Sequence, residues 1–204
     1  MTVLFEMELT LQDLGVLPVR ATVAFAARCA RRVLPFLTHA PEANSASELA
    51  IRAIELAEAF ARGSGQTHQA QEIADDAYGA GQGLMTNISS GSRGYAAYAA
   101  GHAANSVAHW TQGAATNTAS MGQEVVAAAY GTYRIILSYN KALLLLEPDK
   151  AQDILLLVES DYIKLRDSNL GEFGQLGELV ECSEKGPMGT LWPDPDLAWD
   201  FTDS

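Results

Sequence analysis

The chain has 204 residues, 48% of them hydrophobic and 19% charged, a composition of folded globular proteins that excludes disorder. Its 25 acidic and 13 basic residues leave a net charge of −12, which argues against nucleic acid and against anionic membrane as partners. No apolar run reaches membrane-spanning length, the acidic start "MTVLFEMELT" lacks a signal's basic region, and two cysteines are too few for a disulfide framework, so a soluble, cytoplasmic protein is expected.

A short segment, "TLQDLG", leads through Pro18 into "VRATVAFAARCARRVLPFLTHA". Val23, Ala26 or Ala27, Ala30, Val33 or Leu34 and Leu37 recur there at helical spacing, with Cys29 as a small core residue and Arg28, Arg31 and Arg32 marking a more polar side. Pro35 is expected to kink or shorten the last turn. Ser45 and Glu48 form a capping-box pattern before "ELAIRAIELAEAFARG", whose stripe is Leu49, Ala53 or Ile54, Leu56 or Ala57, and Phe60, and Gly63 is its natural stop.

"QTHQAQEIADDAYGAGQGLMTNI" predicts a third helix, weakened near Gly79, Gly81 and Gly83. A loop at "SSGSRG" separates it from two Ala/Gly-rich helices, "YAAYAAGHAANSVAHWTQG" and "SMGQEVVAAAYGTYRIILSYNKALLLLE". Small residues allow close helix approach, which places these two in the middle of the bundle. Pro148 suits the first turn of a sixth helix, "DKAQDILLLVESDYIKLRDSNL". Beyond Gly171 the Gly and Pro breaks are too frequent for one continuous element.

The expected fold is therefore all-α: a bundle of about six helices over residues 1–170, with an irregular acidic extension, 171–204, packed on it within the same domain. In that extension Pro187, Pro193 and Pro195 keep the chain extended. Leu191, Trp192 and Trp199 offer apolar area to pin it, while Asp194, Asp196, Asp200 and Asp203 keep its outer side wet.

The charge is unevenly spread. Residues 1–146 carry 11 acids and 9 bases, whereas residues 147–204 carry 14 acids and 4 bases. Asp149, Asp153, Glu159, Asp161 and Asp167 run along the sixth helix, and Glu172, Glu178, Glu181 and Glu184 follow. Solubility alone does not require charge to be concentrated at one end, so these nine acids are candidate contacts for a basic partner protein.

Catalytic patterns are weaker. His102 and His109 lie seven apart on one helix face with Asn105 between them, a start for a metal site with Asp75, Asp76 or Glu124. No Glu-x-x-His pairs accompany them, and helix rise separates the rings by roughly 10 Å, so a polar pair between Ala-rich helices is the preferred reading. "SYNK", Ser138 to Lys141, has the Ser-x-x-Lys form without its companion motifs, and "GAGQG" at 79–83 follows no strand. No nucleophile–base set can be placed on rigid elements, so no cofactor is implied and an enzyme centred on His102 and His109, such as a metal-dependent hydrolase, is the alternative rather than the leading reading. A structural, oligomerising helical protein is the third.

"FAARCARRVLPFL", "AIRAIELAEAFARG" and "GYAAYAAGHAANSVAHW" together resemble a family of helical immunity proteins from bacterial toxin loci, the immunity-five-like type, over roughly residues 21 to 130. The ending "EKGPMGTLWPDPDLAW" resembles the Gly-Pro-Leu-Gly-Pro-Leu-Trp-Pro tail of planctomycete-type bacterial proteins without an assigned activity, with Met188 and Thr190 in place of Leu and Pro. The stretch around "SSGSRG" and the acidic sixth helix depart from the immunity pattern. The resemblance together with the charge asymmetry leads to the expectation of a non-enzymatic protein-binding module, an immunity-type inhibitor that masks the basic site of a cognate toxin with its acidic C-terminal quarter.

Overall fold

A computed structural model describes residues 8–38, 44–64, 67–86, 91–113, 118–143 and 148–191. These form a helical bundle with no strand among the described residues. Six long helices carry the fold: α2 (Val19–Val33), α4 (Asn44–Ala61), α5 (Ala70–Met85), α6 (Gly91–Gly113), α7 (Thr118–Leu143) and α8 (Pro148–Asp167). Two single-turn helices, α1 (Leu11–Leu14) and α3 (Pro35–Thr38), flank α2, and a 3₁₀ turn over Thr67–Gln69 precedes α5. Helix α6 packs on α2, α3, α4, α5 and α7, and α2 packs on α3, α4, α6, α7 and α8. The two central helices are thus α2 and α6, where the Ala/Gly content had pointed to α6 and α7.

The local chemistry explains most boundaries. Thr10 caps α1 in a reciprocal box: Asp13 N–H donates to Thr10 Oγ1 at 3.2 Å, and Thr10 N–H donates to Asp13 Oδ2 at 2.7 Å. The Thr10 hydroxyl also donates to Asp13 Oδ2, at 2.6 Å, and that bond first, with the backbone one, holds the Asp13 carboxyl below the usual carboxylate range. Helix α2 ends before Pro35, which opens the separate turn α3. Helix α4 starts at Asn44, so Ser45 already lies inside its first turn and is not the cap that its spacing from Glu48 suggests. Its other end is a Schellman stop: Gly63 N–H donates to Phe60 O, Ser64 N–H donates to Ala59 O, and Gly63 takes a φ of 74°.

The glycines of α5 do not break it. The helix runs through Gly79, Gly81 and Gly83 to Met85, and α6 begins at Gly91, inside the segment read as loop. Gly81 shows why. A Cβ there would lie 2.9 Å from both Gly94 O and Tyr98 N, so the bare backbone lets α5 and α6 touch. Lost helix propensity is exchanged for close packing across this crossing.

Helix α2 is buried on nearly every side, with 13 of its 15 residues inside. Arg28 and Arg32 are among them, at 5% and 1% exposure, so only Arg31 of the three arginines fits the expected polar side. Beyond α8 the chain forms an irregular strap over residues 171–191, and Val180, Cys182 and Met188 of the strap belong to the same buried core as the helices. Pro18 offers α2 no side-chain cap. The strap does that work instead, since Val19 N–H donates to Gln175 O at 2.9 Å and Arg20 N–H to Leu176 O at 3.0 Å. Gly177, with φ 78°, is held so close to Pro18 that a Cβ would meet its ring at 2.6 Å. The Trp192, Pro193, Pro195 and Trp199 expectations fall outside the described residues.

Candidate functional site

The acidic C-terminal quarter is sorted by the fold into three groups. Asp167, Glu172, Glu178, Glu181 and Glu184 are exposed, and no Lys or Arg occurs in the sequence between Asp167 and Glu184. Asp153 and Glu159 are half-buried on α8, and burial pushes the Glu159 carboxyl up. Asp149 falls in the first turn of α8, where side chains lie outside the described set.

Asp161 is a correction. It is 1% exposed, so it cannot belong to an outward acidic face. Helical register shows the reason: Ile154, Val158, Asp161 and Leu165 follow one another on the buried stripe of α8, facing α2. Arg32 donates to Asp161 Oδ2 from Nε at 3.0 Å and from a terminal nitrogen at 2.6 Å, and Arg28 Nε stands 3.4 Å from the same oxygen. Burial pushes the carboxyl up against the downward pull of Arg32 and Arg28, and desolvation lowers the Arg28 guanidinium. Asp161 Oδ1 is buried with no hydrogen-bond partner.

The two arginines also hold the strap. Arg28 donates to Gly189 O at 2.7 Å, Arg32 donates to Leu191 O, and Lys164 donates to Met188 O at 3.0 Å. A further anchor is Arg20, donating to Gly177 O at 2.9 Å. The exposed glutamates therefore ride on a backbone fixed at several points. Glu181 is itself tied locally, its carboxylate accepting from Ser183 N–H at 2.9 Å and held below its ordinary range by that bond. Asp167 shares its charge with Arg166 at 2.8 Å.

His102 and His109 occupy different surroundings on α6. His102 packs edge-on against Tyr78 and Tyr98 of α5 and α6, with ring centres 5.0 and 5.4 Å away, and its Nδ1 is buried without a hydrogen-bond partner. A Cβ on Gly131 of α7 would come within 2.7 Å of that nitrogen, so this glycine is the seat of the ring. Burial lowers the His102 pKa to about 4. His109 has both nitrogens occupied: Nε2 meets Asn105 Nδ2 at 3.0 Å, and Nδ1 lies 3.4 Å from Glu124 Oε2 on α7. Glu124 thus reaches the histidine directly. Asp75 accepts from Gln71 at 2.9 Å, and Asp76 is exposed. No group of three or more His, Cys, Asp or Glu with metal-binding geometry stands among the described residues.

The remaining nucleophile patterns resolve into structure. Ser138 donates to Arg134 O one turn back on α7, and Lys141 lies where side chains are not described. Both cysteines are buried and free, and burial raises both thiols, that of Cys182 to about 12. Each stays a neutral thiol at physiological pH. What the strap presents among the described residues is a set of exposed carboxylates on an anchored backbone. No helix of the described residues is long and apolar enough to cross a membrane. Comparison with protein-family models, with curated proteins and with solved structures finds no match to this chain.

Proposed function

We propose that this chain is a non-enzymatic protein-binding module of the cytoplasm that docks a basic partner protein through its C-terminal acidic edge. Inhibition of a cognate toxin, in the manner of an immunity protein, is the form the sequence resemblance suggests. The observation that carries the reading is the run of exposed acids Glu172, Glu178, Glu181 and Glu184 on a strap held by backbone hydrogen bonds. A surface already fixed in the free protein has little conformational freedom left to lose on binding. An excess of negative charge on such a surface speeds encounter with a basic patch and disfavours acidic competitors.

Co-purification with the products of neighbouring genes tests this. A partner is expected to bind less tightly as salt rises and to be lost from a variant with Glu172, Glu178, Glu181 and Glu184 all changed to Lys. All four positions are exposed, so that variant is expected to fold, and its melting curve checks that it has. A partner retained in full by the reversed variant, or no partner at all, rejects the proposal.

A further inference from the structure

Four arginines, Arg28, Arg31, Arg32 and Arg62, gather where α2, α4 and the strap meet, in a protein whose net charge is −12. Three of them, Arg28, Arg31 and Arg62, line an open cleft of about 290 Å³ together with Glu58, Ser183 and Leu191. The carbonyl ends of α2 and α4 account for basic residues nearby. They do not account for three guanidiniums converging on one cavity.

The guanidiniums of the cleft are unequally paired. Arg31 is matched by Glu58 through bonds of 3.1 and 2.8 Å. Arg28, on the floor, stands 3.4 Å from Asp161 Oδ2, an oxygen that Arg32 also bonds. Arg62 forms no ion pair within 4 Å and no side-chain hydrogen bond among the described residues, although its charge acts on the Glu181 carboxylate. Glu184 is on the lining but exposed, and Cys182 beside it is held neutral by burial. Ser183 adds a hydroxyl to the wall.

We propose that this cleft binds a small oxyanion, an inorganic phosphate or a compact phosphorylated or carboxylated metabolite, with Arg62 and Arg31 at its mouth and Arg28 at its floor. Guanidinium groups present paired N–H donors that match the oxygens of such anions. A cleft of this volume, at the lower end of the range for small-molecule sites, suits a compact anion. The direction of the Arg28 shift agrees, because burial disfavours its charge, Asp161 restores only part of it, and a bound anion stabilises the guanidinium further.

The test is isothermal titration calorimetry on the full chain at fixed ionic strength, with inorganic phosphate in one arm, malonate in another and chloride as the baseline. Saturable binding is expected. Arg62→Gln is expected to weaken it about tenfold or more, the worth of one charge-assisted hydrogen bond. Arg52→Gln, an exposed change on α4 outside the cleft, is expected to leave it intact. Tighter binding of malonate than of phosphate supports the site and assigns its ligand to the carboxylates. No saturable binding of either anion, or binding equal in the wild type and Arg62→Gln, overturns the proposal.

Discussion

Asp161 ties α8 to α2 through two buried arginines. It is their counter-ion, and those arginines in turn hold two carbonyls of the strap. Removing one member of a buried ion cluster leaves uncompensated charge, which typically costs about 3–5 kcal/mol. Asp161→Ala is therefore expected to lower unfolding free energy by that order, measured by urea denaturation. A triple variant combining Arg28→Met, Arg32→Met and Asp161→Leu removes the whole cluster at once. It is expected to recover most of that loss while releasing the strap, seen as faster amide exchange across residues 175–191. His102 makes a second residue-scale prediction. Its pKa is about 4 in the fold against an ordinary 6.5, so between these values the unfolded chain binds more protons. Stability is then present above pH 6.5 and is lost as pH falls towards 4, by up to about 3 kcal/mol. A His102→Gln variant is expected to lose this component of the pH dependence; a variant keeping the full acid slope would place its origin elsewhere.

At the scale of elements, the glycines of α5 separate into two kinds. Gly79 and Gly83 are exposed, with nothing within 4 Å of a built Cβ, whereas Gly81 faces the backbone of α6. Alanine at 79 or 83 is expected to raise stability by roughly 0.5–1 kcal/mol through helix propensity. Alanine at 81 is expected to lower it by about 1–3 kcal/mol through overpacking, and thermal melts of the three variants check both signs. The same contrast shows what could be read in advance. Apolar periodicity was enough to locate six helices and the stop at Gly63, because those signals are local. It could not tell a glycine that weakens a helix from one that admits a neighbour, since the neighbour lies on another helix. Likewise Arg28 and Arg32 read as a polar side because their partner is 129 residues from Arg32. Asp161 was legible by register, lying between Val158 and Leu165 on an apolar stripe, but its charge drew it into the surface count.

For the whole molecule, the strap is part of the folded unit rather than an appendage. It supplies acceptors for the first N–H groups of α2 and places Val180 and Met188 in the core, at 1% and 0% exposure. A chain ending at Leu170 is expected to melt well below the full protein and to bind hydrophobic dyes, as judged by thermal scans and dye fluorescence. An unchanged melting temperature would mean the bundle closes without the strap. The candidate acidic edge belongs to this scale as well. Its composition was visible in the sequence, but its division into exposed, half-buried and buried members followed only from how α8 and the strap lie against α2.

The pairing of α2 with the chain's last quarter also bears on the order in which the protein is made. Helix α2 leaves the ribosome well before the strap, yet its opening amides and two of its guanidiniums meet partners between residues 161 and 191. An unfinished chain that buried α2 early would trap unpaired positive charge, so premature collapse is penalised. The strap, made after α2, closes this first long helix of the core, and a product terminated before it is left open for proteolysis.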